Sequence, residues 1–169
     1  MERSIITTIV FIILFNIKMN IAYPFVAVND TVINGDTIYY FGYTFKGNWF
    51  QAMQYCKSLD MDLIWIESKE ENNFLYHQMK NLFSNKGEYW FWTSGTTLPH
   101  DKWVWMSTGR PIVFTNWQKN QPDNWEGKEH TLEVEYHYGK DLEWNDLDQD
   151  RYLNALCKVN IEKCSDTTS

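Results

Sequence analysis

Gln121-Pro122-Asp123-Asn124-Trp125, with Glu129 shortly after it and Trp144-Asn145-Asp146 further on, is the stretch around which the chain is organised. These segments concentrate hard oxygen donors. Ca²⁺ takes six to eight oxygen ligands and tolerates irregular geometry, so carboxylate and amide oxygens suit it. Asp123, Glu129 and Asp146 offer charge, and Gln121 and Asn145 offer amide oxygens without adding any. Five side chains leave room on the ion for outside oxygens, such as two neighbouring hydroxyls of a sugar. Asx residues and proline also form ordinary turns, so an acidic, solvated loop is the competing reading.

The spacing separates the two. Gln-Pro-Asp, a Glu eight positions after the Gln, and a later Trp-Asn-Asp resemble the sugar-binding signature of C-type lectin domains. The resemblance implies one primary calcium ion held by Gln121, Asp123, Glu129, Asn145 and Asp146, with the same residues and Trp125 contacting carbohydrate. It implies a cis peptide bond at Gln121-Pro122, an uncommon geometry that marks a specified turn. Members with Gln-Pro-Asp tend toward galactose or N-acetylgalactosamine, and those with Glu-Pro-Asn toward mannose. Exchanging amide and carboxylate across the proline exchanges donor and acceptor around the bound hydroxyls. Trp125 fits the galactose type, since an aromatic ring can pack on the apolar face of that sugar. The glycine-rich insertion that follows the Trp in many such members is reduced to Glu126-Gly127-Lys128, which implies a less fixed ring and modest selectivity.

The implied fold is α+β: a C-type lectin-like domain over 37–159, two helices with short antiparallel sheets and a long calcium-binding loop region. The 169 residues suit one domain, and 44% hydrophobic residues with nine Trp, ten Tyr and ten Phe suffice for a core. A net charge of −7 argues against nucleic acid or anionic membrane as partner, because both demand clustered Lys and Arg.

Residues 1–22 read as a signal peptide: Arg3 gives a basic start, and Ile5 to Ile17 is too short an apolar run to span a bilayer. Secretion is therefore expected, followed by a loose lead-in over 23–36 and, after the domain, a tail over 160–169. Asn29-Asp30-Thr31 is an N-glycosylation acceptor sequence. In a secreted chain the three cysteines become a disulfide question. The family's long-range bridge runs from the first helix to the last strand, and Cys56 and Cys157 match its ends. The resemblance also places a second bridge at Thr131 and Gln149, where both cysteines are absent together. Cys164 is left free, available for a homodimer bridge, or an alternative partner for Cys56.

Local signals place the motifs. Thr37 to Phe41 reads as a strand. Asn48 with Gln51, and Ser68 with Glu71, read as capping boxes. They open helices whose apolar faces are Trp49, Ala52, Met53, Cys56 and Leu59, then Phe74, Leu75, Met79 and Leu82. Trp90 to Gly95 resembles the family's central core motif, Trp-Ile-Gly, with Thr93 and Ser94 departing from it. Thr108 to Gln121 reads as a long loop. Alternation at Leu132, Val134 and Tyr136 marks a strand after Glu129, and Tyr152 to Lys158 closes the domain as another.

Enzyme readings fare worse. The acid run Asp141, Glu143, Asp146, Asp148, Asp150 could suggest paired carboxylates of a glycosidase, but charge runs are usually solvated surface. It fails the EF-hand template, with Arg151 at the glycine position and Cys157 at the closing Glu. No nucleophile elbow, zincin helix or phosphate loop occurs. His77, His100, His130 and His137 lack zinc-like spacing. Lys119, Asn124 and His130 stand at the family's auxiliary calcium positions and weaken them, so one ion is expected. The remaining alternative is a domain of this fold that binds a protein partner without sugar, since fold alone does not fix function.

Overall fold

The structure, a computed structural model, describes residues 30–84 and 87–161. The expected signal peptide, Asn29, Cys164 and the end of the tail lie outside the described residues. Among the described residues, two α-helices flank a nine-stranded sheet.

The chain enters through a hairpin. β1 (Thr31–Asn34) pairs antiparallel with β2 (Thr37–Gly47), Asn34 opposite Thr37. From Thr31 on, this corrects the expectation of a loose lead-in. Asn34 and Gly35 break the chain only to turn it, with Gly35 at φ +59° where a side chain would be strained.

Asn48 then caps α1 (Trp49–Ser58), its side chain accepting from the Gln51 amide while Gln51 reaches back to the Asn48 amide. The helix buries Trp49, Ala52 and Cys56. β3 (Asp62–Leu63) leads to α2 (Lys69–Phe83), which buries Asn72, Leu75, Met79 and Phe83. The second box is only half formed. Ser68 accepts from the Glu71 amide, but the Glu71 carboxylate accepts from the Glu67 amide instead of the cap residue's own. Its other oxygen is drawn inward to Lys158 and the Tyr39 hydroxyl.

β4 (Glu88–Thr96), β5 (Val104–Trp105), β6 (Arg110–Pro111), β7 (Thr131–His137), β8 (Glu143–Leu147) and β9 (Leu153–Asn160) complete the sheet. β9 lies between β2 and β4, antiparallel to the first and parallel to the second; β7 bridges β4 and β8. Successive strand residues point to opposite faces. Phe91 and Leu156 therefore join the core under α2, while Trp92, Ala155 and Cys157 join the core under α1. Cys56 of α1 is bonded to Cys157 of β9, Cα atoms 5.5 Å apart. Trp49 and Trp92 are buried, yet each indole N–H finds a backbone carbonyl, on Thr93 and Gly47, as buried polar groups must. Gly95 has a packing reason of its own: a Cβ there would sit 2.8 Å from the Cβ of Leu132 in β7.

Candidate functional site

The site assembles where the loop before β7 meets β8. Asn72 of α2 holds the base of β8: its Nδ2 donates to the Leu142 carbonyl, and its Oδ1 accepts from the Trp144 indole. Asn116 Nδ2 donates to that carbonyl too, and the Trp144 amide donates to the Asn116 carbonyl. Trp117 bridges to Trp144, and Gln118 N donates to Trp144 O. The expected long loop is thus tied along its C-terminal half to the strand that carries Asn145 and Asp146. Phe114 and Trp117 pack edge-on against the Trp144 ring, which is fully buried. Two segments far apart in sequence are held side by side by backbone bonds over an aromatic floor.

Gln121-Pro122 is cis. Beyond it, the buried Asp146 accepts from two consecutive amides, Asp123 N at Oδ1 (3.1 Å) and Asn124 N at Oδ2 (2.8 Å). Asn124 sits at φ +46°, the left-handed region that Asn tolerates. Its side chain accepts from the Glu129 amide, and Glu129 Oε2 accepts from the Trp125 amide. Asp123, Glu129 and Asp146 each bring a carboxylate oxygen to within 4.8 Å of the others. Gln121 Oε1 and Asn145 Oδ1 are buried with no hydrogen-bond partner among the described residues.

These facts bear on whether a cation fits. Two like charges about 4 Å apart repel by about 1 kcal/mol in water and about 4 near a protein surface, so three crowded carboxylates ask for a positive charge. Burial, then the charges of Asp146 and Asp123, hold the Glu129 carboxyl above its ordinary range, with the Trp125 amide partly offsetting them. Lys128 is engaged by Glu126 at 2.7 Å. Leaving a buried carbonyl oxygen without a partner costs about 1–3 kcal/mol, and here two amide oxygens are left so. The donor set is all oxygen, three parts charged and two neutral, which suits Ca²⁺. Among the described residues this is the one convergence of acidic, His or Cys ligands.

Trp125 opens a short 3₁₀ turn, Trp125–Gly127, and the residue is 66% exposed. It is not folded back onto the core, which leaves it available to a ligand. Glu133 was not singled out by sequence. It lies opposite Asn145 in the β7–β8 register, is 3% exposed, and accepts from Asn145 Nδ2 at 2.9 Å. Burial pushes its carboxyl up to about 8 despite that bond. The alternation Leu132-Glu133-Val134 predicts a solvent-facing glutamate; only its cross-strand neighbours, Trp92 of β4 on one side and Asn145 of β8 on the other, show that it is covered.

At Thr131 and Gln149, where the resemblance placed a second bridge, the Thr131 hydroxyl donates to Leu147 O at 2.7 Å, and the Gln149 carbonyl accepts from the Trp49 amide. Hydrogen bonds to the backbone hold this part of the chain.

A two-helix, mixed-sheet domain with an oxygen-lined loop site defines a lectin-like class. The family described as the Lectin C-type domain matches residues 46–159. The chain belongs to the C-type lectin domain family. It is 30% identical over 142 residues to C-type lectin 37Da of Drosophila melanogaster, covering 82% of this chain and 71% of that one. It is 31% identical over 125 residues to perlucin of Haliotis laevigata, covering 74% and 77%. The carbohydrate-recognition domain of the mouse scavenger receptor C-type lectin superposes with a TM-score of 0.66 at 26% identity, covering 78% of this chain and 96% of that one. Membership places the protein among carbohydrate-binding lectins, whose members generally bind Ca²⁺ and are not enzymes. No helix among the described residues is long and apolar enough to cross a membrane.

Proposed function

We propose that the protein is a secreted, calcium-dependent lectin with a preference for galactose or N-acetylgalactosamine on glycoproteins or cell surfaces. Gln121, Asp123, Glu129, Asn145 and Asp146 would hold one calcium ion. The observation that carries this reading is the pair of buried, unpartnered amide oxygens, on Gln121 and Asn145, beside three convergent carboxylates. When bound, the ion supplies Lewis-acidic positions that vicinal sugar hydroxyls can fill. The chain's own groups do the rest. Amide N–H groups donate to those hydroxyls, carboxylates accept from them, and Trp125 offers an apolar platform. Gln121 before the cis proline and Asp123 after it support the galactose preference. The Cys56–Cys157 disulfide and the signal-like N-terminus support secretion.

The test is a galactose column loaded in calcium and developed with chelator. Retention followed by elution in chelator is expected, with no retention on a mannose column. Passage through the galactose column in calcium would remove the sugar assignment and leave the domain as a module for a protein partner.

A further inference from the structure

An amide ligand has a right end and a wrong end. The oxygen and nitrogen of Asn145 fill nearly the same space, but only the oxygen can face a cation. Something must decide between them. β7 pairs with β8 so that Glu133 stands directly opposite Asn145, and directly opposed residues on one sheet face are close enough to interact. Glu133 Oε1 accepts from Asn145 Nδ2 at 2.9 Å, and Asn145 Oδ1 is left buried and unpartnered. Against an ionised Glu133, turning the amide over would set its carbonyl oxygen against the carboxylate, oxygen against oxygen, and its Nδ2 toward the ion. The carboxylate therefore reads which end of the amide is which.

Burial makes this choice costly. Glu133 is 3% exposed, opposite Trp92 in β4 on one side and Asn145 in β8 on the other, and its Oε2 has no partner among the described residues. Burying a carboxylate without full compensation is unfavourable, and an apolar residue at this strand position would pack at lower cost. Partners behind a metal ligand orient it, and their loss commonly lowers metal affinity 10- to 100-fold.

On the metal reading above, we propose that Glu133 is a positioning residue of the calcium site: it locks the Asn145 amide with its oxygen toward the ion. One Nδ2 hydrogen is then spent on Glu133, and the other remains for a ligand hydroxyl.

Calcium titration calorimetry on the intact secreted chain tests this, with urea denaturation in chelator as the control for folding. Glu133→Met keeps the length and removes the acceptor. It is expected to weaken calcium binding 10- to 100-fold while leaving the chelator midpoint unchanged or raised. Glu133→Gln offers the Asn145 amide either an oxygen or an N–H, so it no longer fixes which end faces the ion, and it is expected to bind calcium more weakly than the parent and more tightly than Glu133→Met. Asn145→Asp has no wrong end, so adding Glu133→Met to it should cost little further affinity. A parent chain with no calcium heat would sink the metal reading and the Glu133 role together. A parent that binds, with Glu133→Met binding equally well, would overturn the positioning role alone. Loss of the fold in chelator for Glu133→Met would also overturn it, by assigning the carboxylate a structural duty.

Discussion

Lys158 Nζ lies 2.5 Å from Glu71 Oε1 and 4.3 Å from the centre of the Trp65 ring, and only 4% of the lysine is exposed. The last strand is thereby pinned to the first turn of α2 by a charge pair inside the protein. The ammonium also donates to the Trp65 carbonyl, and Glu71 accepts from the Tyr39 hydroxyl and the Glu67 amide. Breaking a buried pair from one side strands the other charge and costs about 3–5 kcal/mol, whereas replacing both partners by apolar groups is often neutral. Lys158→Met alone should therefore lower the urea midpoint in chelator sharply. Lys158→Met with Glu71→Leu should recover much of the loss. A double variant as unstable as the sum of the two singles would show that the residues act independently.

Calcium should stabilise the fold measurably, because Thr131 and Gln149 give the loop region hydrogen bonds in place of a bridge. A ligand that binds only the native state at a hundred times its dissociation constant adds about 2.7 kcal/mol. Urea midpoints in calcium and in chelator should differ accordingly, and equal midpoints would count against a bound ion. The pH dependence in chelator has a definite sign. Glu129 and Glu133 are raised on folding, Glu133 from 4.5 to about 8. A carboxyl raised in the native state gives its stability below the unfolded value, and that stability fades as pH climbs through the folded one. The chelated protein should thus weaken between about pH 4.5 and 8. Calcium affinity should run the opposite way, since protonated carboxyls no longer bind metal.

His137 supplies a separate pH signature at the other end of β7. Nδ1 lies 3.0 Å from Glu88 and Nε2 2.8 Å from Glu135, so both ring nitrogens face carboxylates. Burial pulls the ring's pKa down, but the hydrogen bonds to Glu135 and Glu88 and their charge outweigh it, and the net shift is upward. A raised histidine contributes fully below its unfolded pKa near 6.5, and the contribution is lost as pH rises through the folded value. The imidazole signals of His137 followed by NMR should titrate above 6.5. Glu88→Gln with Glu135→Gln should bring the midpoint down. A wild-type midpoint at or below 6.5 would show that burial wins.

Much of this was legible in the sequence, and the reason is locality. The Asn48 capping box, the apolar face of α1 and the alternation of β7 are set by residues a few positions apart. The residues proposed as ligands stand out because they lie in short motifs. What escaped required knowing which strands touch. Asn72 reads as an ordinary polar helix residue until Trp144 and Leu142 are placed beside it. Glu71 reads as a cap partner until buried Lys158 claims it. Glu133 reads as solvent-facing until β4 and β8 close over it. Each is a buried or largely buried polar group with a partner at least twelve residues away, and side-chain periodicity carries no information about such partners.

Specificity should respond to Gln121, Asp123 and Trp125 in separable ways. Gln121 and Asp123 flank the cis proline, one partly buried and one exposed, and differ in that only the amide can donate. Gln121→Glu with Asp123→Asn keeps five oxygen ligands and the same net charge, so calcium affinity should change little. The order of donor and acceptor around the sugar is reversed, and retention should move from galactose toward mannose. Trp125 is different: its ring is exposed, and only its backbone amide bonds Glu129. Trp125→Ala should leave calcium binding intact and weaken galactose binding by up to about tenfold, the equivalent of about 1.4 kcal/mol of ring contact. Competition with free galactose and mannose on immobilised glycan, run beside calcium calorimetry, separates the two effects. Unchanged galactose retention in the double variant would count against Gln121 and Asp123 as the residues that choose the sugar.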